Sequence, residues 1–348
     1  MTRSAADGTP RYRRRRVYWV LAVLLAGLAT WLSIRQVNWA DLQLVLTASN
    51  LWLLGGALVV VLLTTIVKAA RWQVLLRLCG AHAGFMHILC VLFIGQMANS
   101  FLPARLGDVG RAVLIGPRVT GGAPAALGTI LTEKALDGVM GVLILISLAL
   151  WIPLPPWLHA PVWALIALTI GLLGLLAFAA AQNRWAVSFY RRLVGWLPPS
   201  VQSKVDSFLK GFMLGLDLFE QPRNALLALA LSVLVWMLAA WTNGIVLASL
   251  GVQAPRWGIW LVLVTGYVAN FMPTVPAQVG VFEYTHMLAL VAAGVEQEPA
   301  LAFSLALHLL VYGPPLILGP LCMLVEGLGW ARLKNIRHLY RQGEDTSA

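Results

Sequence analysis

Apolar residues run along this chain in long uninterrupted blocks. They do not alternate with polar ones, as in a half-buried strand. Residues 17–34, 51–67, 85–102, 123–151, 161–181, 223–250 and 299–325 each reach or exceed the length of about 17 residues that takes an apolar helix across a bilayer. Two shorter apolar pieces, 257–272 and 279–293, lie around Pro273, Pro276 and Gly280. The pattern predicts an all-α polytopic membrane protein.

The longest polar connection is 182–222, where Arg184, Arg191, Arg192, Lys204 and Lys210 stand against Asp206, Asp217 and Glu220. Val201, Val205, Phe208, Phe212 and Phe219 recur within it at helical spacing. That spacing predicts an amphipathic helix, lying on the inner leaflet or packed on the underside of the bundle. Residues 1–16 are polar and end in Arg13, Arg14, Arg15 and Arg16. They read as a cytoplasmic tail rather than a signal peptide, because the run 17–34 is long and no small-residue cleavage site follows it. A single transmembrane domain then occupies 17–330, and 331–348 is a second basic cytoplasmic tail.

Charge constrains the number of crossings. The tail 1–16, the segment 68–77 with Lys68, Arg71 and Arg77, the 182–222 connection and the C-terminal tail are all basic. By the positive-inside rule all four belong on the cytoplasmic side. Three apolar runs separate the second from the third, one too many for an even count. If 85–102 is re-entrant and turns back near Pro103, the parity is restored. The same device makes 257–293 a hairpin entered from the opposite face. The expectation is six full spans with two opposed re-entrant hairpins; eight full spans is the alternative.

Composition agrees with the pattern. Of 348 residues 59% are hydrophobic and 11% charged, and mean hydropathy is +0.79. A soluble domain carries about 25% charged residues. The net charge of +11 sits at segment ends and in short connections, which accounts for it by topology and leaves no nucleic-acid partner implied. Cys79, Cys90 and Cys322 lack paired spacing and read as core thiols, not as a disulfide or metal site. Trp151, Trp157, Trp196, Trp257 and Trp330 stand near segment ends, as interfacial anchors do. No stretch calls for a cofactor.

The chemistry concentrates in residues 99–111. This short stretch holds Asn99, Arg105, Asp108 and Arg111, broken by Pro103, Gly107 and Gly110. Each ionisable group at membrane depth costs roughly 2.5–3.5 kcal/mol to insert, so such groups face a cavity or a partner. Ala98, Asn99, Phe101 and Pro103 are echoed by Ala269, Asn270, Phe271 and Pro273, and Gly280 and Glu283 follow as Gly107 and Asp108 do. Paired interrupted segments of opposite orientation are the sequence pointer to a midplane transport site.

The stretches NSFLPARLGDVGRA, TEKALDG at 132–138, SFLKGF at 207–212 and NFMPTVPAQVGVFE at 270–283 together resemble the flippase-like, lysylphosphatidylglycerol synthase transmembrane-region family over about residues 17–330. The resemblance implies translocation of a polar lipid between leaflets of the bacterial inner membrane. The short tail after the last span offers no soluble aminoacyl-transfer domain, so the expected function is that of a lipid translocase and not of an enzyme. An accessory membrane protein of a lipid-linked sugar, aminoacyl-lipid or hopanoid pathway, or a membrane-embedded lipid-modifying transferase, is the alternative; the implied partners are a phosphate-bearing membrane lipid and lipid-synthesis enzymes.

Physical argument then assigns roles. Glu133 and Asp137 are four apart, so they share a helix face, where like charges repel. A nearby cation explains the pair, with Arg105 and Arg111 as the nearest candidates. The guanidinium fork suits phosphate, so Arg105 and Arg111 are expected to grip the head group. Asp108, Glu133, Asp137 and Arg118 form the supporting charge network. Glu283 is expected to meet a cationic group or close the cavity. Asn99 and Asn270 complete the substrate-binding set, and with Gln96 and Gln278 can cap the broken helix ends. A buried ion-pair network that only fixes two turns is the competing explanation. His286 reads as a lone interfacial histidine, and His87 and His308 have no partner in sight along the sequence.

Overall fold

A backbone surrounded by lipid must satisfy its hydrogen bonds within itself, which leaves a non-barrel chain of this composition only helices. The structure is a computed structural model that describes residues 24, 27–35, 37–102, 105–180, 199–214, 221–269 and 276–327; among them there is no strand. Both basic tails, the 182–198 and 215–220 parts of the polar connection, half of the first predicted span, and Asn270 lie outside the described residues.

Residues 27–34 are the helical end of the first predicted span. The helices that follow are α1 (Trp39–Thr47), α2 (Leu51–Leu78), α3 (Phe85–Phe101), α4 (Leu106–Ile115), α5 (Gly122–Trp151), α6 (Pro156–Ala180), α7 (Pro199–Leu214), α8 (Pro222–Ser249), α9 (Arg256–Ala269), α10 (Val281–Ala292) and α11 (Gln297–Val325). Five of them, α2, α5, α6, α8 and α11, are long and apolar enough to cross a membrane. Helix α2 alone, at 28 residues, is about 42 Å long.

Interhelical hydrogen bonds sort the helix ends onto two faces. On the first, the Asn50 amide donates to the Ser249 carbonyl at 2.7 Å, joining the start of α2 to the end of α8. The Asn50 side chain meanwhile caps α2 by accepting from Trp52 N and Leu53 N. On the opposite face, His82 N donates to Arg118 O at 3.0 Å and Thr120 N to Cys79 O at 3.1 Å. His87 and Glu326, at the start of α3 and the end of α11, meet at 2.6 Å on that face too. The second face carries Arg77 and Arg118 and is the basic one.

This sorting shows how the broken segments run. The α3–α4 hairpin begins at Phe85 and ends beside Arg118, both on the basic face. The α9–α10 hairpin starts just after α8 has reached the other face, and it returns there: a Cβ built on Gly258 stands 3.0 Å from the Ala293 Cβ. Both arms fall short of the roughly 30 Å hydrocarbon core of a bilayer, since α3 has 17 residues and α9 has 14, about 25 and 21 Å. The two hairpins therefore enter from opposite faces, as the charge parity requires. Their tips are strained. The non-glycine residues with positive φ among the described residues are Arg105 (54°), Ala277 (56°) and Gln278 (58°), all at these turns. A left-handed L-residue costs roughly 1–2 kcal/mol, and such strain gathers at functional sites.

Two boundaries differ from the sequence pattern. The segment 68–77 is not a loop, because α2 continues unbroken to Leu78 through Lys68 and Arg71. Charge ends a membrane helix only when it has to reach water, and Arg71 finds carboxylates inside. Helix α6 begins at Pro156, five residues early, and contains Pro161. Of the two placements open to the amphipathic helix, α7 takes the one on the bundle: Phe212 and Met213 pack with Ala135 of α5. A Cβ on Gly211 would stand 2.6 Å from the Gly121 carbonyl oxygen, so this contact needs glycine.

Candidate functional site

Six charged side chains form one alternating chain across three elements. Arg71 of α2 holds Asp137 of α5 through both guanidinium nitrogens, at 2.6 and 3.2 Å, and reaches Glu133 at 3.3 Å. It also donates to Ser232 Oγ of α8 at 3.0 Å. Glu133 then pairs with Arg111 of α4 at 3.2 Å. Arg111 lies 3.4 Å from Asp108, which Lys134 approaches to 3.6 Å. The sequence of charges is thus Asp137, Arg71, Glu133, Arg111, Asp108, Lys134, with three of each sign. Arg71 is fully buried, and the Arg111 guanidinium lies 4.8 Å from the Trp72 ring centre, a cation–π contact. Asn99 donates to Asp108 at 3.2 Å and ties α3 to α4.

The hairpin arms can approach this closely because of glycine. A Cβ on Gly107 would run into the Gly95 carbonyl oxygen and would stand 2.6–2.7 Å from Asn99 atoms. Small residues at such crossings are how membrane helices gain packing without a hydrophobic driving force.

One wall of a cavity of about 700 Å³ is built from this chain. Lys68, Gln96, Asn99 and Arg105 add polar groups from α2 and the first hairpin; Tyr267 and Gln278 add them from the second. Leu92, Leu102, Val235, Leu307 and Val311 make the rest of the lining apolar, and Leu102 and Val311 are exposed. The cavity is therefore amphipathic, with charge on one side and apolar surface on the other. It lies at depth: Lys68 is about 15 Å along α2 from the basic end, and Glu133 about 16 Å along α5 from the same end. Among the described residues no carboxylate lies within 4.0 Å of the Lys68 ammonium.

At the second hairpin Glu283 does not line the cavity. One of its carboxylate oxygens pairs with His308 of α11, and the other accepts from Gly280 N at 2.7 Å, capping α10. Phe282 and Tyr312 line the cavity, with rings 5.6 Å apart at a right angle, and both rings neighbour His308, at 4.8 and 4.6 Å. His286 is buried, hydrogen-bonded to Phe282 O at 2.7 Å and stacked on the Phe282 ring at 3.8 Å.

Of the residues singled out from sequence, Asn99, Arg105, Asp108, Arg111, Glu133 and Asp137 are brought together at the cavity. Glu283 stands behind its wall, and Asn270 is outside the described residues. Arg118 is not in the network: it sits at the basic surface, 2.8 Å from His87, which in turn meets Glu326. His87 and His308 therefore both have acidic partners far along the chain, and His286 is a core residue rather than an interfacial one. Sequence reasoning missed Arg71 and Lys68, taking them for topology markers. A signal existed, since Thr64, Lys68 and Arg71 follow at helical spacing in a run otherwise nearly apolar.

The comparisons with known proteins agree with this architecture. A family model described as the lysylphosphatidylglycerol synthase TM region matches residues 19–319. A UPF0104 membrane protein of Methanothermobacter thermautotrophicus is 22% identical over 337 residues, covering 91% of this chain and 95% of the relative. Another, from Pyrococcus horikoshii, is 22% identical over 289 residues, covering 77% and 85%. The chain is a multi-pass membrane protein and belongs to the lysylphosphatidylglycerol synthase transmembrane-region family.

Proposed function

We propose that this protein is a lipid translocase of the bacterial inner membrane, moving an anionic or head-group-modified lipid between leaflets. The observation that carries the reading is the amphipathic cavity at the meeting of two opposed, strained hairpins. A head group can sit against Lys68 and Arg105 while its acyl or prenyl chain follows the apolar side past Leu102 and Val311. Opposed half-spanning elements can open such a site to one face or the other with small rigid movements. The basic face, with Arg77 and Arg118, is cytoplasmic on this reading. A transport role rather than an enzymatic one is supported by the acids themselves, because Asp108, Glu133 and Asp137 are all committed to arginine or lysine partners. The test is leaflet exchange of labelled lipids in liposomes holding the purified protein, with Lys68→Gln and Arg105→Gln alongside. Transfer by the unmodified chain and its loss in folded variants are expected. No transfer of any phospholipid, aminoacylated lipid or lipid-linked sugar would overturn the proposal and favour an accessory role in lipid synthesis.

A further inference from the structure

Glu283 and His308 form an acid–histidine pair that head-group recognition does not use. His308 lies about 17 Å along α11 from the end opposite the basic face, so the pair sits at membrane depth. Acids and histidines placed there are costly to insert and mark ion or proton pathways. A carboxylate only accepts, so with Glu283 ionised the His308 Nδ1 that faces it carries a hydrogen. The other ring nitrogen, Nε2, has no hydrogen-bond partner among the described residues, and the His308 side chain keeps 13% of its surface exposed. Neither residue has a second ion-pair partner among the described residues. The net charge of the pair is therefore negative while Nε2 is bare, and it vanishes once Nε2 takes a proton from the water.

The pair also stands at a joint. The second Glu283 oxygen accepts from Gly280 N at 2.7 Å, just after the left-handed Ala277 and Gln278. Gln278 lines the cavity, as do Phe282 and Tyr312, whose rings lie 4.8 and 4.6 Å from the His308 ring. The pair thus ties the tip of the second hairpin to α11 and adjoins the cavity lining. The titratable or charged groups nearest it are His286 and Tyr284 on α10, Tyr312 on α11 and Tyr267 on α9, with Lys68 and Arg105 lining the same cavity. His87, Glu326 and Arg223 stand at the basic ends of α3, α11 and α8, and Asp41, Arg256, Glu296 and Glu298 near the opposite face. The nearby residues outside the described set, 103–104 and 270–275, include no ionisable side chain.

We infer that Glu283 and His308 form a proton-binding site and that the protein moves its lipid together with one proton. With Nε2 bare, the negative pair opposes an anionic head group in the adjoining cavity. With the proton bound that opposition is gone, so proton and lipid bind together. By linkage each strengthens the binding of the other by the same factor. The inference rests on the reading of the cavity as a lipid site and adds the source of energy, a proton gradient.

The experiment follows the leaflet distribution of tail-labelled phosphatidylglycerol in phosphatidylcholine vesicles that hold the full chain. A gradient of one pH unit is imposed, the membrane potential is abolished with a potassium ionophore, and vesicles without protein give the baseline. One proton per lipid should shift the final leaflet ratio by up to about tenfold toward the alkaline side. The double variant Glu283→Gln with His308→Gln keeps hydrogen-bonding groups at both positions but takes no proton there. It should melt as a folded protein and still transfer lipid, yet equalise the leaflets whatever the gradient. A folded double variant that still follows the gradient would overturn the inference. So would one that transfers nothing, since the pair would then be structural. No transfer by the unmodified chain at any pH removes the translocase reading and this inference with it, whereas transfer that equalises the leaflets despite the gradient removes this inference alone.

Discussion

Replacing Arg71 by methionine separates two explanations of the same residue. If Arg71 only marked a cytoplasmic loop, its loss would change stability by no more than about 0.5 kcal/mol, as at an ordinary surface position. In the structure its side chain is fully buried and bridges Asp137 at 2.6 and 3.2 Å, Glu133 at 3.3 Å and Ser232 at 3.0 Å. Glu133 keeps Arg111 when Arg71 is gone, but Asp137 keeps no ion-pair partner among the described residues. Removing one member of a buried pair costs about 3–5 kcal/mol, because the other charge stays behind without compensation. For a chain of this size that corresponds to a fall of roughly 4–7 °C in apparent melting temperature. The assay is thermal unfolding in detergent, followed by tryptophan fluorescence, on Arg71→Met, Asp137→Asn and the double variant. The double variant should recover about 1–3 kcal/mol relative to the sum of the singles, since the second substitution removes the orphaned charge. A melting temperature within 1–2 °C of the unmodified protein, or strictly additive losses, would refute the argument that this ion pair organises the site.

Gly107→Ala should destabilise the first hairpin by about 1–3 kcal/mol through overpacking against Gly95 and Asn99, while Gly110→Ala, whose Cβ meets nothing within 4 Å, serves as the neutral control in the same melting assay. Arg105→Gly removes a cavity cation but relieves a left-handed residue, so stability should stay within about 1 kcal/mol while lipid transfer falls; a parallel loss of both would make Arg105 a structural residue only. In oriented membrane vesicles, cysteines placed at His82 and Arg118 should react with an impermeant maleimide from one side, and a cysteine at Glu296 from the other. Labelling of the first two from opposite sides would rule out a re-entrant α3–α4 hairpin in favour of a full crossing.

The fold was largely legible because the forces that set it are local. A run of apolar residues long enough to cross a bilayer has to form a helix there, whatever its neighbours, so α2, α5, α6, α8 and α11 follow from hydropathy alone. The hairpins needed one further step: the basic segments on either side of 85–102 made the parity odd, and the short helices α3 and α9 with strained tips answer it. The site was legible in part. Glu133 and Asp137, four apart on one face, demanded a cation nearby, and the demand was right. Arg111, one of the two cations the sequence offered, pairs with Glu133, whereas the partner of Asp137 was not readable, because Arg71 lies on a helix 66 residues earlier.

What the sequence determined by itself, then, is the set of long apolar helices and the places where they break, since each depends on a residue's preference for lipid or water. Only the tertiary structure decided which charges meet: Arg71 with Asp137, Glu283 with His308 behind the cavity wall, and Arg118 with His87 at the surface. Ion pairing falls off within a few ångströms, and those distances are set by how helices far apart in the chain pack together.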